Sequence, residues 1–159
     1  MFRCIVSAIC GNSRLDKEEL ATIEWNDCQP FVPPITCGYV IKVYDGDTIT
    51  IAGRLPYPES PLYRFSVRLL GIDSPEIKGK TEKEKEAAHK SQHALEDLIL
   101  HRKVVLREIS TEKYGRILAN IYLVTETGEI FINKWMLSNG YAVPYDGKTK
   151  QQFDPDSCI

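Results

Sequence analysis

Four short stretches gather the side chains that could do chemistry. They are Asp45-Gly46-Asp47-Thr48, Arg68 with the run Asp73-Ser74-Pro75-Glu76, Thr111 to Arg116, and Tyr141 to Tyr145. Hydrolysis of a phosphodiester needs a hard cation held by oxygens, an activated water, and cationic groups on the phosphate as charge develops. Asp47 and Asp73 can supply the oxygens and Glu76 the base. Arg68 and Arg116 offer planar forks that match phosphate oxygens two at a time. The Ser74-Pro75 step restricts the backbone and can hold Asp73 and Glu76 on one side of a tight turn. Neither aspartate adjoins a histidine, and no Ser/His/Asp or Cys/His arrangement is evident, so attack by a protein nucleophile is the weaker route.

Taken singly, each stretch has a plainer explanation. Asp-Gly-Asp is usually a hairpin turn, and Asp-Ser-Pro-Glu a turn leading into a helix with its acids near the N-terminus. Lys-Tyr-Gly-Arg alone is a solvated turn between strands, and Tyr145 alone a packed aromatic with its hydroxyl in water. Only the four together divide the labour of one reaction.

The elements that must position them read as strands, a helix, then more strands. Val40 to Tyr44 and Thr48 to Ile51 flank Asp45-Gly46, a hairpin signal. Arg54 to Leu62 carries three prolines and reads as a loop. From Tyr63 to Ile72, Phe65, Val67 and Leu69 alternate with Arg64, Ser66, Arg68 and Leu70. Glu82 to His101 is an amphipathic helix whose apolar face holds Ala87, Ala88, Ser91, Ala94, Leu95, Leu98 and Ile99. Lys103 to Ile109 and Arg116 to Val124 are β-rich, and Ile130 to Asn139 reads as a short helix capped by Gly140. The fold class expected is α+β, mainly β: a five-stranded OB barrel with one long helix before the last two strands and a short C-terminal helix. One geometric demand follows. Arg68 and Asp73 are five apart, so strict alternation would point them to opposite faces. A strand end or bulge near Gly71 must intervene if both serve one site.

Composition bounds the alternatives. The 159 residues are 43% hydrophobic and 26% charged, enough for one core that buries about 70% of the unfolded surface. Disorder, collagen, coiled coil and repeats are excluded, and no apolar run spans a bilayer. Residues 1–35 read as an N-terminal extension ending in the linker-like Pro30-Phe31-Val32-Pro33-Pro34, residues 36–150 as the main domain, and residues 151–159 as a tail. Met1 to Cys10 is a poor signal peptide, which favours an intracellular over a secreted protein. The five cysteines form neither a disulfide framework nor a zinc knuckle and read as buried free thiols. Net charge is −2, which at face value argues against a nucleic-acid partner. Yet residues 36–150 carry 17 Lys+Arg against 15 Asp+Glu, net +2. The acidity lies in the extension and the tail.

From about Cys37 to about Asp146 the sequence resembles the staphylococcal nuclease (thermonuclease) family. The resemblance rests on Val43 to Thr48, Val67 to Glu76, and Lys113-Tyr114-Gly115-Arg116, with Asn133 to Ala142 matching more loosely. It implies an OB-fold nuclease that cuts DNA and RNA, single strands preferred, with one Ca²⁺ ion and 3′-phosphate products, acting as a monomer. Carried over by position, Asp47 and Asp73 would bind the metal through carboxylates and Ser74 through its carbonyl. Glu76 would act on water as general base, and Arg68 and Arg116 would grip the scissile phosphate. Lys113, Tyr114 and Tyr145 would contact neighbouring phosphate and base. Against the family pattern, the loop from Thr50 to Tyr63 is longer and the basic segment after Glu76 shorter. The family's terminal helix is expected to be missing or replaced by the extension. The competing expectation is a catalytically inactive OB module that binds nucleic acid or protein, or a metal-binding domain without hydrolysis. Retention of Asp47, Arg68, Asp73, Glu76 and Arg116 argues for the enzyme, because charges gathered at strand ends are costly unless paired or used.

Overall fold

The computed structural model describes residues 22–79, 81–112 and 115–147. They belong to two compact units that meet in sequence between Phe31 and Val32. In the first, Trp25–Asp27 makes a 3-10 turn, and the Glu24 N–H donates to the Asp27 carboxylate at 2.8 Å. The second unit is a barrel and its appendages. Its elements run β1 (Cys37–Val43), β2 (Thr48–Gly53), β3 (Tyr63–Leu69), β4 (Ile72–Asp73), α1 (Glu82–Ile99), β5 (Lys103–Thr111), β6 (Ile117–Thr125), β7 (Gly128–Phe131), α2 (Ile132–Ser138) and β8 (Val143–Pro144).

Strands β3, β2, β1, β5 and β6 are hydrogen-bonded in that order, antiparallel throughout. A parallel pairing of β3 with β6, from Val67 opposite Ile117 to Leu69 opposite Ala119, closes the ring. Closure removes the exposed edges that short strands would otherwise present. This is the expected five-stranded OB barrel, with its long helix before the last two barrel strands. Alternation, with a register shift between Val40 and Lys42 in β1, decides what fills it: Val40, Val43, Ile49, Ile51, Val67, Leu69, Ile121 and Leu123 are buried in the core. Helix α1 packs Leu95 and Ile99 into the same core. Thr81 accepts from the Glu84 N–H while Glu84 accepts from the Thr81 N–H, a reciprocal cap that starts the helix. Its Ala88, Ser91, Leu95 and Ile99 are buried, and each large apolar chain contributes about 1.5–3 kcal/mol of transfer energy.

Three features depart from the sequence reading. The stretch expected as a helix from Ile130 begins as a strand. β7 pairs with β6 from Thr125 opposite Gly128 to Tyr122 opposite Phe131, whose rings stack 4.8 Å apart, and the helix runs only from Ile132. The second is β8, which pairs Val143 with Asp73 and Pro144 with Ile72. Two residues are too few to show a period, so neither β4 nor β8 has a sequence signature. The third concerns the thiols. Cys28 is exposed and Cys37 half-buried, both free, while the other three cysteines lie outside the described residues. Among the described residues, no helix is long and apolar enough to cross a membrane.

Candidate active site

The site starts from a break in a strand. β3 ends at Leu69, and Gly71 follows with φ +78°, a left-handed conformation that side chains with a Cβ disfavour. Alternation restarts at β4, so Asp73 comes round to the same side as Arg68. The geometric demand made by the sequence is met. β8 then pins the new strand: just beyond the Ile72–Pro144 pair, the Tyr145 N–H donates to the Gly71 carbonyl at 3.0 Å.

Asp47 reaches the same point from the opposite direction. The loop between β1 and β2 spans Tyr44 to Asp47, and the Asp45 carboxylate accepts from the Asp47 N–H at 3.1 Å, an Asx-type turn. Gly46 is there because of crowding rather than dihedral freedom. A Cβ on it would stand 1.8 Å from Ser91 Oγ and 2.8 Å from Ser74 Cβ. Gln92 of α1 donates through Nε2 to the carbonyls of Val43 and Tyr44, at 3.3 and 3.1 Å, and Ser91 Oγ donates to the Tyr141 carbonyl at 2.8 Å. The helix thus clamps the loop that carries Asp47.

Arg68 ties the two acids together. Its Nη1 donates to Asp47 Oδ1 at 2.9 Å and its Nη2 to Asp73 Oδ1 at 2.6 Å. Asp47 also accepts from Thr48 Oγ1 at 2.8 Å and, through Oδ2, from the Ser74 N–H at 3.1 Å. Asp47 is 2% exposed and Asp73 6%. Burial, with help from the nearby Asp45 charge, pushes the Asp47 carboxyl up to about 7, although Arg68, Thr48 and the Ser74 N–H pull the other way. Burial opposes the charge on Arg68, but Asp47 and Asp73 outweigh it and hold the guanidinium above its ordinary value.

These residues form one wall of an open cleft of about 740 Å³, which Glu76, Arg116 and Tyr145 also line. Glu76 is exposed, just past the Ser74-Pro75 turn, and its carbonyl accepts from the Gly79 N–H at 2.8 Å. Arg116 ion-pairs through Nε with Glu112 at the turn between β5 and β6. Tyr145 lies with its ring centroid 5.8 Å from the Arg68 guanidinium carbon. So Asp47, Arg68, Asp73, Ser74, Glu76, Arg116 and Tyr145 converge on one cleft, whereas Lys113 and Tyr114 lie outside the described residues. Sequence reasoning placed Asp45 and Glu112 in the chemistry-bearing stretches without giving either a role, and missed Gln92 altogether. Each acts through a partner; Asp45, two residues from Asp47, and Glu112, four from Arg116, had a local signal, and Gln92 had none.

The donor chemistry suits a hard cation. Asp47, Asp73 and the Ser74 carbonyl are all oxygens, and the burial that raises the Asp47 carboxyl to about 7 disfavours its charged form, a cost that a bound cation would offset. Among the described residues no group of three or more His, Cys, Asp or Glu is gathered for a metal, so an ion here would rely on carbonyls and water for its remaining ligands.

A family model described as staphylococcal nuclease homologue matches residues 66–158, from within β3 onward. The chain belongs to the staphylococcal nuclease family. It is 31% identical to a probable endonuclease LCL3 of Yarrowia lipolytica, across 74% of this chain and 59% of that protein. A probable endonuclease LCL3 of Candida glabrata is 35% identical over 57% of this chain and 35% of its own length. An uncharacterized protein of Methanocaldococcus jannaschii, MJ1439, is 30% identical over 68% and 58%. The chain spans less than two thirds of the curated relatives it matches. The family match begins after Asp47, so the first acid of the site is supplied by the β1–β2 loop outside it.

Proposed function

We propose that this chain is a Ca²⁺-dependent nuclease, hydrolysing phosphodiester bonds of DNA and RNA by water attack with little sequence preference. The observation that carries the reading is the convergence of two buried acids, two arginines and an exposed glutamate on one open cleft. An ion bound by Asp47, Asp73 and the Ser74 carbonyl would offset negative charge at the phosphate and activate water. Arg68 anchors the acid pair; a guanidinium has five N–H donors, so the two acids leave it capacity for a phosphate oxygen. Arg116, at the rim, can exchange Glu112 for phosphate as charge develops on the transition state. Glu76, exposed and beside the acids, takes the proton from the attacking water, and products keep the phosphate on the 3′ oxygen. Contacts to phosphate rather than base edges make cutting sequence-tolerant. Tyr145, together with Lys113 and Tyr114, would hold the flanking nucleotide, and stacking on aromatic rings favours single strands.

The test is cleavage of labelled single-stranded DNA and RNA with Ca²⁺ or chelator by wild type, Glu76→Gln and Arg116→Ala. Loss of a general base lowers the rate about 10²–10⁴-fold and loss of an electrostatic stabiliser about 10²–10³-fold. Equal cutting by all three overturns the role assignments. Absence of cutting by wild type makes the chain a binding module.

A further inference from the structure

Two cavities meet at Arg68. The cleft described above shares Arg68, Glu112 and Tyr145 with a second trough of about 610 Å³ that runs beside Leu69 to Ile72. Those three residues form a dividing wall. Among the residues that line the first cleft and not the second trough are Lys42, Tyr44 and Lys78. None of these has a part in the chemistry above.

Tyr44 is a large ring left 56% exposed at the end of β1. Its backbone is held on both sides: the N–H donates to the Thr48 carbonyl at 2.9 Å, and the carbonyl accepts from Gln92. The ring is thus exposed while its main chain is fixed. The Lys42 ammonium sits 5.6 Å from the ring centroid, and Lys78 is exposed on the same cleft. Asp45 lines this flank too, but its Oδ1 is turned into its own loop toward the Asp47 N–H. An exposed ring on a fixed main chain, with one lysine over it and a second on the same cleft, is the arrangement that binds single-stranded nucleic acid, the ring stacking a base and the cations following the backbone.

We propose that Tyr44, with Lys42 and Lys78, is a second nucleotide-binding subsite, stacking the base on the side of the scissile phosphate away from Tyr145. This rests on the nuclease reading and extends it. A strand whose phosphate lies on Arg68 runs into both cavities, and the residue across the cleaved bond is seated by Tyr44. The substrate class is therefore an oligonucleotide with a base on each side of the cut, not a terminal mononucleotide ester.

Two measurements test it. In chelator, anisotropy of a fluorescein-labelled oligothymidylate reads binding without cleavage. Tyr44→Ala weakens affinity about 5- to 150-fold, Tyr44→Phe stays within about twofold because stacking needs the ring and not the hydroxyl, and Lys42→Ala lowers the salt dependence by about one unit of slope. With Ca²⁺, oligonucleotides carrying one phosphodiester among phosphorothioates are compared with versions abasic on one or the other side of that bond. Wild type cuts each abasic version more slowly than the intact strand, and Tyr44→Ala cuts the intact strand and one of the abasic versions at equal rates. A merely structural role for Tyr44 would slow both alike. Should wild type cut while Tyr44→Ala binds and cuts as it does on every strand, the subsite is refuted and the nuclease stands. Should wild type neither bind nor cut, both readings fall.

Discussion

The two arginines of the site are held in different ways. Arg68 is nearly buried and bonded to acids from two other elements, 21 residues before it and 5 after it. Arg116 is paired with Glu112 within its own turn, its side chain 31% exposed. Removing one partner of a buried ion network leaves uncompensated charge, whereas a half-exposed pair within one turn contributes less. Residues with the same proposed task at the phosphate therefore differ in what else they do. Arg68 is also part of the fold; Arg116, among the described residues, is tied only to its own turn.

The largest effect tests that contrast. Arg68→Ala should lower stability by about 3–5 kcal/mol, read by urea unfolding, while Arg116→Ala changes it by about 1 kcal/mol or less. Equal losses would erase the distinction. A second test probes the crowded side of the site. Gly46→Ala must displace Ser91 or Ser74, both buried, and overpacking of this kind typically costs about 1–3 kcal/mol. Gly53→Ala, whose nearest contact is 3.4 Å, should be far milder. If the two melt together, the β1–β2 loop is not clamped as described.

Asp47 gives the contrast a pH signature. Its carboxyl is raised from 3.8 to about 7, so the metal-free folded protein holds a proton that the unfolded chain releases. Stability from this group is present below about 3.8 and is lost as pH rises from there to 7. Added Ca²⁺, which needs the carboxylate, should raise the melting temperature more at pH 8 than at pH 5. Asp47→Asn should flatten the metal-free slope; an unchanged slope would assign it elsewhere. The smallest effect lies away from the cleft. Arg107 pairs with Glu129 and lies over the Tyr122 ring, both on the outside of the barrel. Arg107→Ala should shift stability by about 0–1 kcal/mol and leave cleavage unchanged, checked in the same two assays.

Much of this was legible locally. The 2.0-residue period from Tyr63, the amphipathic face of α1 and the turn residues at Asp45 to Asp47 place the barrel strands and the helix, and hence the fold class. The need for a break near Gly71 was legible too, because five residues cannot put Arg68 and Asp73 on one face of a regular strand. What escaped were features without a local pattern. β4 and β8 are two residues each, β7 was absorbed into a predicted helix, and Gln92 reads as one more polar position on a helix.

By itself, then, the sequence determined which residues could do the chemistry and which elements carry them, since hydrophobic period, turn propensity and charge are properties of short windows. Only the tertiary structure decided who meets whom. That Arg68 spans both acids, that Gln92 fastens the Asp47 loop from 48 residues away while Ser91 ties the same helix to Tyr141, 50 residues on, and that burial lifts Asp47 to about 7 are consequences of tertiary packing. The physical reason is that desolvation and ion pairing depend on everything packed around a group, and that neighbourhood is assembled from chain segments far apart in sequence.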